Sequence, residues 1–413
     1  MTSELSSNPA EAIADRLAHP DTVPGHVKWR PWWRQSLAHG APGIALLHIE
    51  RAAAGLGSWQ RAHDWLAYAT RAPLTTGTDS HLYYGAPAIA HALNCAAEQR
   101  PGSYRGALDR LDEVIGADAR ARVDAAHARI DAGRLPALAE FDVIRGLTGI
   151  GSHLLRRDPG GKPLRAILEY LVRLTEPITV NAETLPGWWT DTGPDGRRKA
   201  RFSDGHANSG LAHGIGGPLA LLALAAQRGA TVDGQQDAMG RICVWLDRWR
   251  VTTPTGPAWP YWVNRPQLRA GHRVVSGSQR PGWCYGTAGL ARAQQLAALA
   301  TGDDDRRTMA EQALLHALTN ATHPEHGDPS LCHGHAGLAH IAARVAADAS
   351  PDSLRRLRGR LPDLLRSTCA ALISSEVAEL DPALLEGAAG IALVLSNPAT
   401  IPRTTWDACL LVA

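Results

Sequence analysis

The sequence has little of what marks proteins that work on nucleic acid or in membranes. Its 413 residues carry 42 Lys and Arg against 40 Asp and Glu, so the formal net charge is only +2. A charge this close to zero argues against binding nucleic acid or a membrane surface by bulk electrostatics. The longest apolar run, near Leu219 to Ala226, is far shorter than the ~20 residues that span a bilayer. We therefore predict no nucleic-acid partner and no transmembrane segment.

Cysteine is also scarce. Six cysteines in so long a chain do not make a disulfide framework, and none lies in a Cys-x-x-Cys pair, which favours a reducing compartment. Residues 1–16 contain acidic side chains and no apolar run, so they lack the features of a secretory signal. These absences predict a cytoplasmic protein. Four cysteines lie in apolar helical contexts that are typical of buried small hydrophobes: Cys95, Cys243, Cys369 and Cys409.

The other two cysteines lie in a pattern that occurs twice. Residues 283–290 and residues 331–338 both contain Cys, then Tyr or His, then Gly-x-Ala-Gly-Leu. Cys284 and Cys332 thus hold the same place in two copies, and His333 follows the second. Two thiols and one imidazole are ligands that suit Zn²⁺. A set of three leaves the fourth tetrahedral position open, as in catalytic rather than structural zinc sites.

A glycine turn of this kind occurs seven times along the chain. In each copy a Gly is followed three residues later by another small residue and then by an apolar stretch of helical character. A tight turn that opens a helix explains both positions, because the first Gly allows unusual backbone angles and the second allows close packing. The copies are Gly40/Gly43, Gly85/Ala88, Gly146/Gly149, Gly214/Gly217, Gly286/Gly289, Gly334/Gly337 and Gly387/Gly390.

Amphipathic segments lie between the apolar ones, so the predicted repeating unit is a helical hairpin with one apolar and one half-solvated helix. The spacing of the turns varies from 45 residues, between Gly40 and Gly85, to 72 residues, between Gly214 and Gly286. A closed ring tolerates unequal loops better than an open array does. We therefore predict an all-α fold, an (α/α) toroid of seven hairpins, with residues 1–413 as a single domain. The amphipathic segments are Ser58 to Ala69, Lys162 to Leu174, Gln235 to Trp249, Asp303 to Leu318 and Ser353 to Leu372.

The residue before each turn glycine is polar although its surroundings are apolar. If every turn points this residue the same way, the seven side chains converge on one mouth of the ring. One position earlier lie Cys284 and Cys332, in consecutive repeats. Consecutive repeats are neighbours in a ring, so we expect these two cysteines to meet. The polar residues, which we call the mouth column, are His39, Tyr84, Arg145, His213, Tyr285, His333 and Glu386.

Several longer strings resemble one family, the lanthionine synthetase C-like proteins, which include the LanC cyclases of lanthipeptide biosynthesis. They run from the third repeat to the C-terminus, with one departure: Ala288 stands where the family often has Pro. The resemblance implies a seven-hairpin (α/α) toroid with a central zinc, and a stand-alone cyclase, since no dehydratase-length extension precedes it. The matching strings are Asp142 to Gly151, Gly210 to Pro218, Trp259 to Trp262, Arg280 to Gly286, Cys332 to Gly337 and Trp406 to Leu411.

The resemblance also implies a reaction. Zinc held by Cys284, Cys332 and His333 would activate a cysteine thiol of the substrate peptide, because a coordinating thiol is deprotonated. The thiol then adds, Michael-fashion, to a dehydroalanine or dehydrobutyrine in the same peptide and closes a (methyl)lanthionine thioether ring. The implied partners are a dehydrated precursor peptide, leader plus core, and a separate dehydratase.

Functional residues of the family fall on four further positions. We expect His213 to protonate the α-carbon of the enolate that forms, and Asp142 to orient the imidazole or to remove the thiol proton. We expect Arg280 and Tyr285 to stabilise the enolate oxygen. The structural alternatives are a helix cap for Asp142, a helix cap or a buried core histidine for His213, and packing supports for Arg280 and Tyr285.

Two other functions fit part of the pattern. A different zinc thiol-transferase on a toroid, of the prenyltransferase kind, would need a basic diphosphate site, and beside the cysteines we find no Lys/Arg cluster beyond Arg280. A non-catalytic LanC-like protein that binds zinc and a peptide would not need His213 and Asp142, which are present.

Three long segments between the repeats lack the pattern of the turns. Residues 95–140 read as charged helical sequence, so we expect no separate inserted domain. Residues 186–208 and 254–282 are long, Trp-bearing and irregular, with 252–260 expected to be loop. Long connections are usually functional or disordered, and we expect these two either to cover the mouth and hold the peptide or to serve only in packing.

Overall fold

A computed structural model describes residues 8–23, 25, 30–253, 256–271, 280–320, 327–374, 380–397 and 401–413. The chain divides into two compact units. The first consists of Met1–Leu111 and Ala321–Asp407, and the second of Asp112–Asn320 and Ala408–Ala413. The organisation of residues 1–413 as a single domain stays a prediction.

Helices account for most of the described residues, and none of them is long and apolar enough to cross a bilayer. The helices are α1 (Pro9–Arg16), α2 (Ala41–Ala53), α3 (Trp59–Ala69), α4 (Ala86–Gln99), α5 (Arg105–Asp131), α6 (Leu138–Phe141), α7 (Leu147–Arg157), α8 (Lys162–Leu174), α9 (Gly216–Gln227), α10 (Gln235–Trp249), α11 (Arg265–Ala270), α12 (Thr287–Thr301), α13 (Asp304–Asn320), α14 (His335–Ala347), α15 (Pro351–Ser374) and α16 (Ala388–Ser396). The strands are β1 (Ile178–Val180), β2 (Glu183–Leu185), β3 (His206–Asn208), β4 (Val251–Thr253), β5 (Gly256–Ala258) and β6 (Trp262–Asn264).

A helix follows each of the seven glycine turns, as predicted, and we call these the turn helices: α2, α4, α7, α9, α12, α14 and α16. They are buried over most of their length; in α9 every residue from Gly216 to Ala225 is buried. The predicted half-solvated helices alternate with them, and α8 and α10 have the predicted bounds. In the first unit α2 packs against α3 and α14 against α15, and in the second unit α7 packs against α8, α9 against α10, and α12 against α13. These pairs are the predicted helical hairpins.

The first glycine of five of the seven turns is needed for a different reason from the one predicted. The first glycine is the N-cap residue of six turn helices, and α9 starts two residues after Gly214. Only Gly85 (φ 76°) and Gly286 (φ 116°) have positive φ. A Cβ on Gly334 would instead collide with the carbonyl oxygen of Asp328, six residues earlier. Unusual backbone angles are therefore the reason at two turns, and close approach of the chain to itself is the reason at others.

The second glycine packs against the carbonyl of its own turn. A Cβ on Gly337 would collide with the carbonyl oxygen of Leu331, and one on Gly390 with that of Leu384. A Cβ on Gly289 would likewise collide with the carbonyl oxygen of Trp283, so in each case the carbonyl lies six residues before the glycine. Close packing was the predicted reason, and its partner is the backbone of the turn itself. The register of the repeat is therefore fixed by sterics at both glycines.

Neighbouring turns of the first unit are joined by backbone hydrogen bonds. The N–H of Cys332 donates to the carbonyl of Leu385 (2.8 Å), and the N–H of Leu385 donates to the carbonyl of Ala38 (3.2 Å). The N–H of Leu37 then donates to the carbonyl of Tyr83 (2.9 Å). The seventh turn is thus bonded to the first, and α16 packs against α2. In an open array the first and last repeats would lie at opposite ends.

The second unit repeats this bonding between its own turns. The N–H of Val143 donates to the carbonyl of Ala212 (3.0 Å), and the N–H of Ala212 donates to the carbonyl of Cys284 (3.3 Å). Most of these bonds join residues that lie two positions before the turn glycine, the position that the sequence alignment gives to both cysteines. The structure therefore confirms the register in which Cys284 and Cys332 are equivalent.

The C-terminal segment, residues 403–413, is held by polar side chains of the turn helices and, at Trp283, of the turn before one of them. In the first unit the buried carboxylate of Glu50 accepts hydrogen bonds from the N–H groups of Arg403 (2.7 Å) and Thr404 (2.9 Å). His91 bonds the carbonyl of Trp406 through Nε2 (2.9 Å). In the second unit Ser152, Trp283 and Arg292 donate to the carbonyls of residues 408, 410 and 412. The backbone of this segment therefore has its hydrogen bonds satisfied by side chains although it is buried.

Short antiparallel strand pairs interrupt the connections of the second unit: β1 with β2, β3 with β6, and β4 with β5. The pair of β4 and β5 contradicts the expected loop over 252–260. Val251, Thr252 and Thr253 are β-branched and favour a strand, and they align with residues 258 to 256. The Pro and Gly residues of this stretch favour a loop, but the β-branched side chains favour the strand that forms.

Asp407 provides a test of how the C-terminal segment contributes to stability. Its carboxylate is fully buried and binds His340 Nε2 (2.7 Å), Arg344 Nε (2.6 Å) and Arg344 Nη2 (2.8 Å). Burial by itself raises the pKa of this carboxyl, but Arg344 and His340 outweigh it and hold the pKa below its ordinary value. A lowered pKa stabilises the fold above the unfolded pKa of about 3.9. The stabilisation is lost as the pH falls through the folded pKa.

We predict that Asp407→Asn lowers the free energy of unfolding by about 3–5 kcal/mol at pH 7, because it leaves a buried Arg without its carboxylate. The difference from the wild type should shrink below about pH 4. Urea unfolding followed by circular dichroism at pH 7 and at pH 3.5 measures both values. Asp352→Asn, in an exposed pair with Arg355, is the control and should change little. Equal stability of Asp407→Asn and the wild type at pH 7 would contradict the prediction.

Candidate active site

The mouth column lies on accessible surface. His39, Arg145 and Glu386 are exposed, and the other four residues of the column are partly exposed. The residues on either side of each are mostly buried. The turns therefore direct this one position away from the core, as the repeat predicts. In the second unit the column brings together several of the residues that the sequence singles out.

Asp142 and His213 form a direct pair. Asp142 is 1% exposed, and its Oδ2 lies 2.7 Å from Nδ1 of His213. Its other oxygen, Oδ1, accepts hydrogen bonds from the backbone N–H groups of Arg145 (2.7 Å) and Gly146 (2.8 Å). One oxygen of Asp142 thus holds the ring of His213 and the other holds its own turn, but Asp142 is not the N-cap of α7, which is Gly146. Because a carboxylate only accepts, it fixes the proton of His213 on Nδ1 and leaves Nε2 on the other side of the ring.

Tyr285 stacks on the imidazole of His213. The ring centroids are 6.2 Å apart with an interplanar angle of 28°. The hydroxyl of Tyr285 accepts a hydrogen bond from Nδ2 of Asn208 (2.9 Å), a fully buried residue that the sequence argument missed. Asn208 Oδ1 in turn accepts from the N–H of Gly210 (3.0 Å). The predicted residues Asp142, His213 and Tyr285 thus form one contiguous group.

Arg280 is held beside this group through its backbone. Its N–H donates to the hydroxyl of Tyr261 (3.0 Å), and that hydroxyl donates to its carbonyl (3.3 Å). The rings of Tyr261 and Tyr285 are 5.3 Å apart. Burial raises the pKa of Tyr261, which keeps the phenol protonated and able to donate. Arg280 itself is exposed. Tyr261 belongs to one of the strings that carry the family resemblance, and that membership was the available signal for it.

A two-stranded sheet brings the two long connections to this group. In the pair of β3 and β6, Asn208 lies opposite Trp262, and the N–H of Ser209 donates to the carbonyl of Tyr261 (2.9 Å). The connections therefore place Asn208 and Tyr261 against Tyr285. This arrangement corrects the purely irregular character expected of residues 186–208 and 254–282, of which 254–255 and 272–279 lie outside the described residues. Whether they hold a peptide stays a prediction.

The three predicted zinc ligands lie together. The thiols of Cys284 and Cys332 and a ring nitrogen of His333 lie within 4.8 Å of one another. Within the described ranges this is the only group of three or more Cys, His, Asp or Glu side chains close enough to hold a metal ion. A tetrahedral zinc with bonds of about 2.0–2.3 Å places its ligand atoms about 3.3–3.8 Å apart, which is inside this limit. The donor types and their separation fit one ion.

Asp328 holds the imidazole of His333. Its Oδ2 lies 2.9 Å from Nε2 of His333, and its Oδ1 accepts from the N–H of Ser330 (2.8 Å). Burial raises the pKa of Asp328, but these hydrogen bonds outweigh it and hold the pKa well below its usual range. The sequence argument missed Asp328, although a polar residue stands six positions before every turn glycine. Those residues are Arg34, Asp79, Glu140, Asn208, Arg280, Asp328 and Asp381.

The remaining cysteines differ from the cluster in their surroundings. Cys95, Cys243 and Cys409 are buried, as predicted. Burial raises the pKa of Cys243 to about 11, so this thiol stays protonated and unreactive at neutral pH. Cys369 was also expected to be buried, but it is only half-buried, because it lies on the partly solvated helix α15.

Three comparisons place the chain among known proteins. A family model described as lanthionine synthetase C-like protein matches residues 31–411. Nisin biosynthesis protein NisC of Lactococcus lactis subsp. lactis is 25% identical over 388 residues, which cover 91% of this chain and 88% of that protein. The solved structure of nisin cyclase matches with a TM-score of 0.80 at 23% identity and covers 97% of this chain and 96% of that one. The structural match confirms the predicted all-α fold, an (α/α) toroid. Because the family match extends over most of its length, the chain belongs to the lanthionine synthetase C-like family.

Proposed function

We propose that the chain is a zinc-dependent lanthipeptide cyclase. It joins a cysteine thiol of a peptide to a dehydroalanine or dehydrobutyrine of the same peptide and so forms a (methyl)lanthionine ring. The observation that carries the proposal is the chain of contacts from Asp142 through His213 to Tyr285, the residue that follows Cys284. The proposed acid–base pair thus lies next to a residue adjacent in sequence to one proposed zinc ligand. Similarity to a protein named for nisin biosynthesis supports the same class of reaction.

Zinc would be held by Cys284, Cys332 and His333. Since Asp328 engages Nε2 of His333, the ring atom assigned to the metal is Nδ1, and a carboxylate on the other nitrogen is the usual support of a ligating histidine. Three protein ligands leave a fourth position for the substrate sulfur. A substrate sulfur bound at that position would be a thiolate at neutral pH. The thiol would lose its proton when its sulfur binds the metal, and the α-carbon would gain one proton after the carbon–sulfur bond forms, so the addition is balanced.

We assign to His213 the role of donating the proton that reaches the α-carbon. Asp142 holds Nδ1, so Nε2 is the atom that carries the proton to the substrate. The buried carboxylate keeps the ring in one orientation. Asp142 is too enclosed to reach a peptide itself, since it is 1% exposed. Of its two predicted roles we therefore assign it orientation of the imidazole rather than removal of the thiol proton.

Arg280 and Tyr285 are assigned to the enolate oxygen. Addition of the sulfur to the β-carbon places negative charge on the carbonyl oxygen of the dehydrated residue, and a cation or a hydroxyl donor aimed at that oxygen lowers the barrier. Tyr285 is fixed by its stack on His213 and by Asn208. The backbone of Arg280 is fixed by Tyr261. Tyr285 is thus supported beside the proposed proton donor, and Tyr261, whose ring lies beside that of Tyr285, supports the backbone of Arg280.

The proposed substrate is a dehydrated precursor peptide with its leader, supplied by a separate dehydratase in the cytoplasm. The exposed members of the mouth column differ in charge, since Arg145 is basic and Glu386 is acidic. Exposed side chains of mixed charge suit contact with a flexible chain without selecting one sequence closely. Selection is therefore assigned mainly to a segment of the precursor that lies away from the metal.

The first prediction from this proposal is about one zinc per chain. Cys284→Ala and Cys332→Ala should each lower the zinc content to a small fraction, because two protein ligands hold zinc far less tightly than three. Metal analysis after gel filtration measures the content, and Cys369→Ala is the control that should keep it. Circular dichroism should show the helices retained in all variants. Zinc that persists in the double variant would show that the ligands are others.

The second prediction separates the acid–base pair from the metal. His213→Ala should keep the zinc and slow ring formation by about 100-fold or more, the usual worth of a positioned acid–base group. Asp142→Asn should do the same, because its Oδ1 still accepts from the turn while its amide reverses the bond to Nδ1. Mass spectrometry after thiol alkylation counts closed rings, and His39→Ala, at the same position of the first turn, is the control. Ring formation at the wild-type rate in His213→Ala would contradict the assignment. Zinc binding without ring formation in the wild type would favour the non-catalytic alternative.

The third prediction concerns the leader. Dehydrated core peptide without its leader should cyclise more slowly than the full precursor, because the mouth provides little sequence selection. Thiol alkylation and mass spectrometry compare the two rates, and the leader added as a separate peptide is the control for its presence in solution. Equal rates would place selection at the mouth, where Tyr84, Arg145 and Glu386 are then the residues to change.

A further inference from the structure

The amide of Asn208 has only one orientation that satisfies its neighbours. Its Oδ1 accepts from the backbone N–H of Gly210 at 3.0 Å. That N–H can only donate, so the oxygen of the amide must face it and the NH₂ group must face the other way. The NH₂ group lies 2.9 Å from the hydroxyl of Tyr285. The phenol oxygen of Tyr285 is therefore the acceptor of this bond, and its own proton lies on another side.

We propose that Asn208 is a positioning residue that sets the Tyr285 hydroxyl as a hydrogen-bond donor toward the reacting peptide. The inference rests on the proposed function and deepens it, since it states how Tyr285 comes to stabilise an enolate oxygen. A hydroxyl whose oxygen already accepts a bond from a fixed amide keeps its proton for another acceptor. Asn208 is fully buried, so it touches no substrate and acts only through Tyr285.

The same turn position explains why an amide, rather than a carboxylate, is needed here. Six residues before their own turn glycines, Asp328 accepts from the N–H of Ser330 (2.8 Å) and Asp381 accepts from the N–H of Ala383 (2.9 Å). Asn208 makes the equivalent bond to Gly210. An Asp therefore supports this turn in two other repeats. At position 208 its second oxygen would accept the proton of Tyr285 and turn the hydroxyl away from the mouth.

The first test needs no catalysis. Wild type, Asn208→Asp and Asn208→Ala are prepared with ¹³Cζ-labelled tyrosine, and the signal of Tyr285 among the seven tyrosines is assigned as the one absent from Tyr285→Phe. The Cζ shift reports whether the phenol oxygen accepts or its proton is donated. We expect the Tyr285 signal to move in Asn208→Asp and, in a different direction, in Asn208→Ala. A signal that stays at its wild-type position in Asn208→Asp overturns the proposal.

The second test measures coupling in ring formation. Tyr285→Phe should slow the reaction by about 100-fold, as loss of one oxyanion donor does, and Asn208→Asp should slow it by a similar factor. The double variant Asn208→Asp, Tyr285→Phe should be no slower than Tyr285→Phe alone, because Asn208 acts only through the hydroxyl. Zinc content and circular dichroism should match the wild type throughout.

The outcomes are separable. Losses that multiply in the double variant would mean that Asn208 supports the turn or the charge of the site independently of Tyr285, and would overturn the proposal. Absence of ring formation by the wild type would contradict the proposed function, while the tyrosine signal still decides which way the hydroxyl points. Asn208→Ala that unfolds, beside a folded Asn208→Asp, leaves both tests in force through the Asp variant.

Discussion

The structure depends on backbone contacts at the glycine turns. Within each unit the N–H of one turn donates to a carbonyl of a neighbouring turn, and the turn glycines lack a side chain because the chain approaches its own carbonyls too closely. Backbone atoms thus make the contacts that align the turns. The side chain just before each turn glycine lies on accessible surface, which is why polar residues are tolerated there amid apolar sequence.

The same side chains hold the backbone of the turns and the rings of the candidate site. Asp142, Asn208 and Asp328 each use one oxygen to accept a backbone N–H of a turn. Each uses its remaining atom to hold a ring, at His213, Tyr285 and His333 respectively. A side chain anchored by its own turn has lost its rotamer freedom before it meets the ring. The orientation of the proposed reacting groups therefore follows from local turns.

Features that recur in every repeat can be predicted from the sequence, whereas side-chain contacts that occur only once cannot. In all seven turns the two small residues are three positions apart. This shared pattern aligns the turns and shows that Cys284 and Cys332 are equivalent. Asn208 and Asp328 were missed because their partners depend on where separate turns meet. The buried polar residues of the turn helices were also missed: His91 and His340 each lie six residues after a turn glycine, yet their partners are in the C-terminal segment. A helical pattern shows that such residues are polar, but not what they bind.

The residues that stabilise the fold and the residues assigned to the reaction therefore lie towards opposite ends of the turn helices. The outward polar residue and the first glycine come just before each helix, while charged residues further along, such as Glu50 and Arg344, hold the C-terminal segment. Losing a buried ion pair costs far more than changing an exposed side chain. Substitutions at the exposed positions of the mouth column, such as Arg145 and Glu386, should therefore leave the fold nearly untouched.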